Sequence, residues 1–203
     1  MGAGLFVSLD GIDGTGKSTQ CRYLCEWLRG QGRDVVEAVD PGGTPLGQEI
    51  RQILLAGKYD LDSRCEALLF MASRAQLVAT VIRSAMERGA VVVCDRFLLA
   101  NVVYQGHAGG LNVEQLWTVG DLSTGGLQPT RTYVLDLPVE LARQRRGRTA
   151  DRIEKRGEEY HERVRQGYLL EARRQPNVRV IDASGDVESV QAVLRADVAE
   201  LLP

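Results

Sequence analysis

The chain has 203 residues, of which 44% are apolar, so it can bury one substantial core but would leave two full domains small. Its 25 basic residues nearly balance 27 acidic ones, and the formal net charge of −2 argues against a surface built mainly to hold nucleic acid or an anionic membrane. We therefore expect a single domain over residues 1–203 that holds any bound phosphate locally.

The N-terminus and the cysteines favour the cytoplasm. Residues 1–4 lead into an apolar run without a basic region before it, and no apolar run is expected to reach membrane-spanning length. The four cysteines show no C-x-x-C spacing, and only His107 and His161 could complete a metal site, so no zinc site is predicted. We expect all four cysteines to be buried or half-buried thiols.

Short apolar runs alternate with segments of helical length along the whole chain. Near-continuous apolar strands suit a sheet that is covered on both faces, and the alternation suits parallel strands joined by helical crossovers. The pattern predicts a three-layer α/β domain with five strands: Leu5–Leu9, Val35–Val39, Val91–Cys94, Tyr133–Leu137 and Val178–Ile181.

A phosphate-binding motif follows the first strand. Residues 11–19 fit G-x-x-x-x-G-K-[ST], and a helical pattern begins at Ser18. Glycines let the backbone N–H groups turn toward phosphate oxygens, Lys17 is expected to reach the β- and γ-phosphates of ATP, and the Ser18 hydroxyl is expected to bind Mg²⁺. The predicted ATP-binding residues of this loop are Gly11, Ile12, Asp13, Gly14, Thr15, Gly16, Lys17, Ser18 and Thr19.

A P-loop by itself leaves GTPases, motor ATPases and small-molecule kinases open. The N-K-x-D motif that reads guanine is absent from the sequence, which argues against a GTPase. Motor ATPases usually place a hydrolytic carboxylate directly after the aspartate at the end of a strand, whereas Asp95 is followed by Arg96 here. An arginine at that position suits a second anion and favours a kinase.

Four separated segments, the first of which contains the P-loop, show that the chain resembles the thymidylate kinases. They are residues 10–20, Pro41-Gly-Gly-Thr44, Asp95-Arg96 with Tyr104-Gln105-Gly106, and Asp151-Arg152-Ile153-Glu154. The resemblance implies a P-loop kinase fold with a five-stranded parallel sheet and a short mobile lid. It also implies γ-phosphoryl transfer from ATP to dTMP, an acceptor pocket between the helices that follow the second and third strands, and a homodimer.

The acceptor side combines an aromatic plate with hydrogen-bonding groups. Phe70 and Arg74 lie four residues apart and so share one helix face, where the family stacks a pyrimidine on the ring and reads a carbonyl oxygen with the guanidinium. Core packing is the alternative for Phe70, and an exposed basic face is the alternative for Arg51. Tyr104 is implied to crowd the sugar 2′ position. The predicted dTMP-binding residues are Asp13, Arg51, Phe70, Arg74, Arg96, Asn101, Tyr104, Gln105 and Asp151.

The segment at about residues 143–157 is rich in arginine and is predicted to be the lid. Some members of the family carry an arginine within the P-loop, and others carry the basic residues in the lid; Gly14 makes this chain resemble the second type. The predicted catalytic residues are Lys17, Asp95, Arg96, Arg148 and Arg152, with Arg145 on the adenine side. Ser18, Asp95 and Glu154 are predicted to face Mg²⁺, although Asp95 could instead orient the acceptor phosphate.

Several positions depart from the family pattern, although the catalytic core is untouched. Val39 replaces an arginine, Asp40 replaces a glutamate, Phe97 replaces a Tyr or His, Ala100 replaces a serine and Thr130 replaces an aspartate. We therefore expect weaker dTMP binding than in members with the full set. Two alternatives stay open: a kinase for another deoxynucleotide or deoxynucleoside on the same scaffold, and a nucleotide-binding regulator without turnover.

Overall fold

The computed structural model describes residues 4–146, 152–154 and 156–202. Its five strands are β1 Leu5–Asp10, β2 Val35–Val39, β3 Val91–Asp95, β4 Arg131–Asp136 and β5 Val178–Asp182. Four of them start at the predicted residue and end within one residue of the predicted end. Strand β4 starts two residues before the predicted residue, Tyr133. The polar Thr132 can lie inside the sheet because its hydroxyl is hydrogen-bonded to the hydroxyl of Ser8 over 2.9 Å.

The strands form one parallel sheet in the order β2-β3-β1-β4-β5. Leu9 of β1 and Val39 of β2 both lie opposite Asp95 of β3, so the carboxyl ends of these three strands meet at one edge of the sheet. Ligands of open α/β sheets bind outside this edge, where the strand order reverses. The predicted parallel α/β fold is confirmed.

Nine α-helices lie among the described residues: α1 Lys17–Gly30, α2 Pro45–Leu55, α3 Ser63–Leu77, α4 Arg83–Glu87, α5 Leu98–Asn101, α6 Val113–Thr124, α7 Val139–Arg145, α8 Glu158–Arg174 and α9 Val187–Leu201. A π-helical turn at Val78–Ile82 joins α3 to α4, and another at Val102–His107 extends α5. Polar caps explain where several helices begin. For example, the Thr44 hydroxyl accepts from the amide of Gly47 over 2.9 Å, directly before Pro45.

Alternating residues of β1 pack against helices on opposite faces of the sheet. Leu5, Val7 and Leu9 join the core formed with α1 and α9. Phe6 joins the core formed with α3, α4 and α5. Both faces are therefore covered, as the apolar strands predict.

The continuous helical segment Ser63–Glu87 is apolar and long enough, by length and composition, to cross a membrane. The sequence prediction that no run reaches this length is therefore wrong. The segment nevertheless packs in the core through residues such as Ala67, Leu77 and Ile82, and it buries the charged side chains of Glu66 and Arg74. Core helices of water-soluble proteins meet the same criteria.

The cysteine prediction holds for three residues and fails for one. Cys21, Cys25 and Cys94 are buried, whereas Cys65 is exposed at the start of α3. Cys65 lies on the outward side of a helix whose buried face is formed by Glu66, Ala67, Met71 and Arg74.

Candidate active site

The P-loop runs from the end of β1 to the start of α1. Gly11, Gly14 and Gly16 have φ angles of 134°, 94° and 91°, which side chains other than glycine rarely adopt. The Thr15 hydroxyl donates to the Ile12 carbonyl over 3.0 Å, and the Lys17 ammonium donates to the same oxygen over 2.8 Å. The backbone is thus folded into a loop at the N-terminus of α1, where N–H groups and the helix dipole favour phosphate.

Lys17 is buried in this loop, and its charge is poorly solvated. Burial and then the positive charge of Arg96 lower the pKa of Lys17 from 10.5 to about 8, against the opposing effect of Asp13, Asp95 and Asp10. A phosphate anion near the ammonium would raise this pKa again and favour the protonated form. The electrostatics of the loop therefore suit an anionic ligand.

Ser18 and Asp95 bring two oxygen ligands together where α1 begins and β3 ends. The Ser18 hydroxyl donates to Oδ2 of Asp95 over 2.5 Å. Among the described residues no group of three or more His, Cys, Asp or Glu side chains could hold a metal by itself. This donor set fits Mg²⁺, which keeps several waters and commonly binds through one or two protein oxygens and the phosphates of its nucleotide.

A cleft of about 390 Å³ opens above the P-loop. Its walls combine the loop with the ends of β2 and β3, with α7 and with the lid segment. The residues that line it are Asp13, Gly14, Gly16, Lys17, Ser18, Thr19, Val39, Asp40, Arg51, Asp95, Arg96, Arg145, Arg146 and Glu154.

A second cleft adjoins the first and contains the predicted base-reading residues. It is lined by Phe70, Arg74, Asn101, Tyr104 and Gln105, together with Pro41, Leu55, Ala100 and Ile153. Both clefts share Asp13, Asp40, Arg51 and Arg96. These four residues therefore mark the place where a donor in one cleft would meet an acceptor in the other.

Arg96 lies at this boundary with φ 68°, an uncommon backbone conformation for a residue other than glycine. Its guanidinium donates to Oδ1 of Asp13 over 2.6 Å and to the carbonyl of Gly11 over 2.9 Å. Burial alone would raise the pKa of the Asp13 carboxyl, but the charges of Arg96 and Lys17 lower it well below its usual range. Asp13 is therefore ionised at neutral pH.

Arg74 is only 1% exposed and is held on several sides. Its Nε donates to Oδ2 of Asp40 over 2.6 Å, and its Nη1 donates to Oδ1 of Asn101 over 3.1 Å. Its guanidinium also lies 5.6 Å from the centre of the Phe97 ring. Phe97, which departs from the family pattern, thus packs against a predicted base-reading residue, while the buried Oδ1 of Asp40 has no hydrogen-bond partner among the described residues.

The predicted lid and phosphate-gripping arginines occupy different places. Arg51 donates to the Pro41 carbonyl over 2.9 Å, and Arg145 donates to the Ala183 carbonyl over 2.7 Å; both line the P-loop cleft. Arg152 lines neither cleft among the described residues, because its side chain reaches the Leu54 carbonyl and Glu66 on the acceptor side. Arg148 and Asp151 lie outside the described residues.

Sequence reasoning did not assign three residues that the structure brings to the site. Arg146, which was counted among the lid arginines but given no role of its own, lines the P-loop cleft beside Gly14. Tyr168 of α8 accepts from Arg96 over 3.2 Å. Glu66 is buried against Gln105 and Arg152, and its position four residues before Phe70 and eight before Arg74 is the one sequence signal that could have pointed to it.

Comparisons with known proteins agree with this geometry. The family model described as Thymidylate kinase matches residues 9–194. The chain is 50% identical to a thymidylate kinase of Symbiobacterium thermophilum, over 98% of this chain and 94% of the relative, and 47% identical to one of Rhodopirellula baltica, over 95% and 79%. The crystal structure of thymidylate kinase from Ehrlichia chaffeensis matches with a TM-score of 0.82 and 26% identity, over 98% of this chain and all of that one. The chain therefore belongs to the thymidylate kinase family.

Proposed function

We propose that this chain transfers the γ-phosphoryl group of ATP to dTMP, giving ADP and dTDP on the route to dTTP. The observation that carries the proposal is the pair of adjoining clefts that share Asp13, Asp40, Arg51 and Arg96. One cleft has the P-loop as its floor, and the other has the aromatic and amide side chains that suit a pyrimidine. Family membership supports the same reaction.

The residues of the P-loop cleft hold and orient the donor. Backbone N–H groups of the loop and the Lys17 ammonium bind the β- and γ-phosphates. Ser18 and Asp95 would hold Mg²⁺, which neutralises charge on the transferring phosphoryl group when it is bound. Arg145 and Arg146, at the start of the lid segment, line the same cleft.

The residues of the second cleft hold the acceptor. Phe70 offers a ring for stacking, Arg74 and Asn101 offer a donor and an amide at the base edge, and Tyr104 occupies the position implied to exclude a ribose 2′-hydroxyl. Arg96 and Arg51 lie where the acceptor phosphate would approach the donor. Phosphoryl transfer needs little covalent chemistry, so positioning and charge stabilisation are the work of these groups.

We propose one kinase domain over residues 1–203, with a mobile lid at about residues 143–157, acting in the cytoplasm without nucleic acid or membrane. We also propose a homodimer. Leu68 on α3 and Leu122 on α6 are 56% and 82% exposed on neighbouring helices, which supports an apolar contact between copies of the chain.

Lys17→Ala tests whether the chain is an enzyme or a nucleotide-binding regulator. Wild-type protein with ATP, Mg²⁺ and dTMP is expected to release ADP, and the variant is expected to lose this turnover because its P-loop lacks the cation on the β- and γ-phosphates. A wild-type protein that binds ATP but shows no turnover above the Lys17→Ala variant would contradict the proposal.

A further inference from the structure

Glu66 of α3 is a buried carboxylate that contacts both the acceptor cleft and the lid segment. Glu66 is only 1% exposed to solvent. A charge this deep in the protein is unfavourable unless it is paired and hydrogen-bonded. The partners of Glu66 come from the acceptor cleft and from the lid segment.

On one side, Glu66 begins a chain of hydrogen bonds that ends at the base-reading arginine. Gln105 Nε2 donates to Oε1 of Glu66 over 2.8 Å, and Asn101 Nδ2 donates to Oε1 of Gln105 over 2.8 Å. Arg74 Nη1 then donates to Oδ1 of Asn101 over 3.1 Å. All members of this chain except Glu66 line the acceptor cleft.

The ionised carboxylate gives this chain a direction. An ionised Glu66 only accepts hydrogen bonds, so Gln105 must turn its NH₂ group toward Glu66 and its oxygen toward Asn101. Asn101 must in turn point its oxygen toward Arg74, which only donates. Glu66 and Arg74 thus fix the orientation of both amides from the two ends of the chain.

On the other side, Glu66 holds two arginines of the lid segment. Its Oε2 accepts from Nη2 of Arg152 and, over 3.1 Å, from Nη2 of Arg156. Nε of Arg152 also donates to the carbonyl of Leu54 at the end of α2, over 2.9 Å. Arg152 and Arg156 are therefore held by the same carboxylate that begins the hydrogen-bond chain along the acceptor cleft.

We propose that Glu66 is a positioning residue that couples dTMP recognition to docking of the lid. Oε1 accepts from Gln105 and, over 3.3 Å, from Arg156, while Oε2 accepts from Arg152 and Arg156. This inference rests on the proposed function. It gives Arg152 a place in lid docking in addition to the role on the ATP phosphates predicted from the sequence.

Replacing Glu66 by its neutral isostere is the first test. Glu66→Gln removes the fixed acceptor, so the two amides can reverse and the arginines lose their anion; we expect the KM for dTMP to rise about tenfold while the KM for ATP changes less than about twofold. Glu171→Gln is the matched control. Glu171 is also 1% exposed and paired, with His107 at 2.8 Å and Arg174 at 3.5 Å, but it lines neither cleft.

The control variant is expected to keep both KM values within about twofold, even where its Tm falls. If Glu66→Gln lowers Tm like the control and leaves the KM for dTMP unchanged, Glu66 is merely structural and the inference is overturned. Wild-type turnover of dTMP is measured first. Its absence would refute the proposed function, whereas normal wild-type turnover with an unchanged Glu66→Gln KM would refute only this inference.

A double-mutant cycle tests the coupling itself, with dTMP binding measured by calorimetry in the absence of ATP. Arg156→Gln is expected to weaken dTMP binding about threefold or more in the wild-type background and to have no further effect in Glu66→Gln. Additive effects would overturn the coupling, because they would show that Arg156 acts through its other contact, the Tyr160 hydroxyl at 2.8 Å.

If Glu66→Gln does not fold, the effect of Arg156→Gln can be measured in a second variant, Tyr160→Phe. Tyr160→Phe removes the hydroxyl that Arg156 contacts and leaves Glu66 in place. Arg156→Gln is expected to weaken dTMP binding about threefold in this background as well. An unchanged affinity there would overturn the inference.

Discussion

Arg96 at the end of β3 donates to Oδ1 of Asp13 in the P-loop over 2.6 Å, and this ion pair lies where the two clefts of the site meet. The same guanidinium donates to the Tyr104 hydroxyl over 3.1 Å, and that hydroxyl donates to Oδ2 of Asp13 over 3.1 Å. The P-loop, the acceptor wall and β3 are thus joined through one side chain. Strained backbone such as φ 68° at Arg96 is typical of functional sites.

Arg96→Lys is expected to lower kcat/KM for dTMP about 100-fold, or about 3 kcal/mol, because an ammonium keeps the charge but cannot hold Gly11, Asp13 and Tyr104 together. The measurement is steady-state kinetics with saturating ATP. Arg88→Lys is the control, since Arg88 pairs with Asp34 on the surface. If kcat/KM of the Arg96→Lys variant stays within about threefold of wild type, the several hydrogen bonds of the planar guanidinium are not required.

Gly14 explains sterically why the P-loop of this chain carries no arginine. A Cβ at position 14 would collide with the carbonyl oxygen of Ala142 in α7 and would lie 3.1 Å from Cγ of Arg146. At Gly16 the φ angle is nearly the same, 91° against 94°, but no neighbouring atom of the described residues lies within 4 Å of an added Cβ. Comparing an alanine at position 14 with one at position 16 therefore separates the cost of a left-handed backbone from the cost of a steric collision.

Gly14→Ala is therefore expected to destabilise the protein by about 1–3 kcal/mol more than Gly16→Ala, which should cost about 1 kcal/mol for the left-handed backbone alone. Thermal or denaturant unfolding without nucleotide measures the difference. Equal destabilisation of the two variants would show that α7 does not press on the P-loop.

Asp10 gives the stability of the protein a specific pH dependence. Burial raises the pKa of Asp10 from 3.8 to about 6, although the charges of Arg96 and Lys17 lower it in part. At pH values between about 4 and 6, Asp10 is more often protonated in the folded state than in the unfolded state. The contribution of Asp10 to the free energy of unfolding therefore falls as pH rises through this range. The change amounts to about 3 kcal/mol at most.

Asp10→Asn removes this titration. The Tm of the variant minus that of the wild type is expected to increase as pH rises from about 4 to 7, because only the wild type must ionise a buried carboxyl. Thermal unfolding across this range measures it. A difference that stays constant with pH would contradict the raised pKa.

Val39 lies at the end of β2, opposite Asp95, and lines the P-loop cleft with Arg51 and Arg96. Val39→Arg is expected to lower the KM for dTMP about three- to tenfold, since it supplies the cation that the family carries near the acceptor phosphate. Glu37→Gln, which makes an exposed position on the same strand less negative, is the charge control. An unchanged or higher KM for dTMP in Val39→Arg would contradict the explanation that the missing arginine at this position weakens dTMP binding.

Much of the fold follows from patterns that are visible in the sequence. The five strands, the P-loop and the parallel sheet were all predictable, because apolar runs, glycine spacing and strand–helix alternation each depend on local chemistry. Phe70 and Arg74 were predicted to share one face of a helix, and both lie on α3 and line the second cleft. The family resemblance is confirmed by the match over residues 9–194.

Long-range contacts explain what the sequence could not supply. Nothing near Arg152 in the chain indicates that it would lie on Glu66, 86 positions away. The π-helical turn at Val102–His107 and the polar start of β4 depend on packing and on the Ser8–Thr132 hydroxyl pair rather than on local propensity. Cys65 was expected inside because cysteine is usually buried, but the buried face of α3 belongs to its neighbours.

The central claim is tested most directly by ADP release from ATP and Mg²⁺ across a panel of acceptors. We predict the fastest release with dTMP, slower release with dUMP, and little with UMP, thymidine or purine monophosphates. A preference for an unphosphorylated nucleoside, or for a purine monophosphate, would contradict the assignment of the second cleft to dTMP.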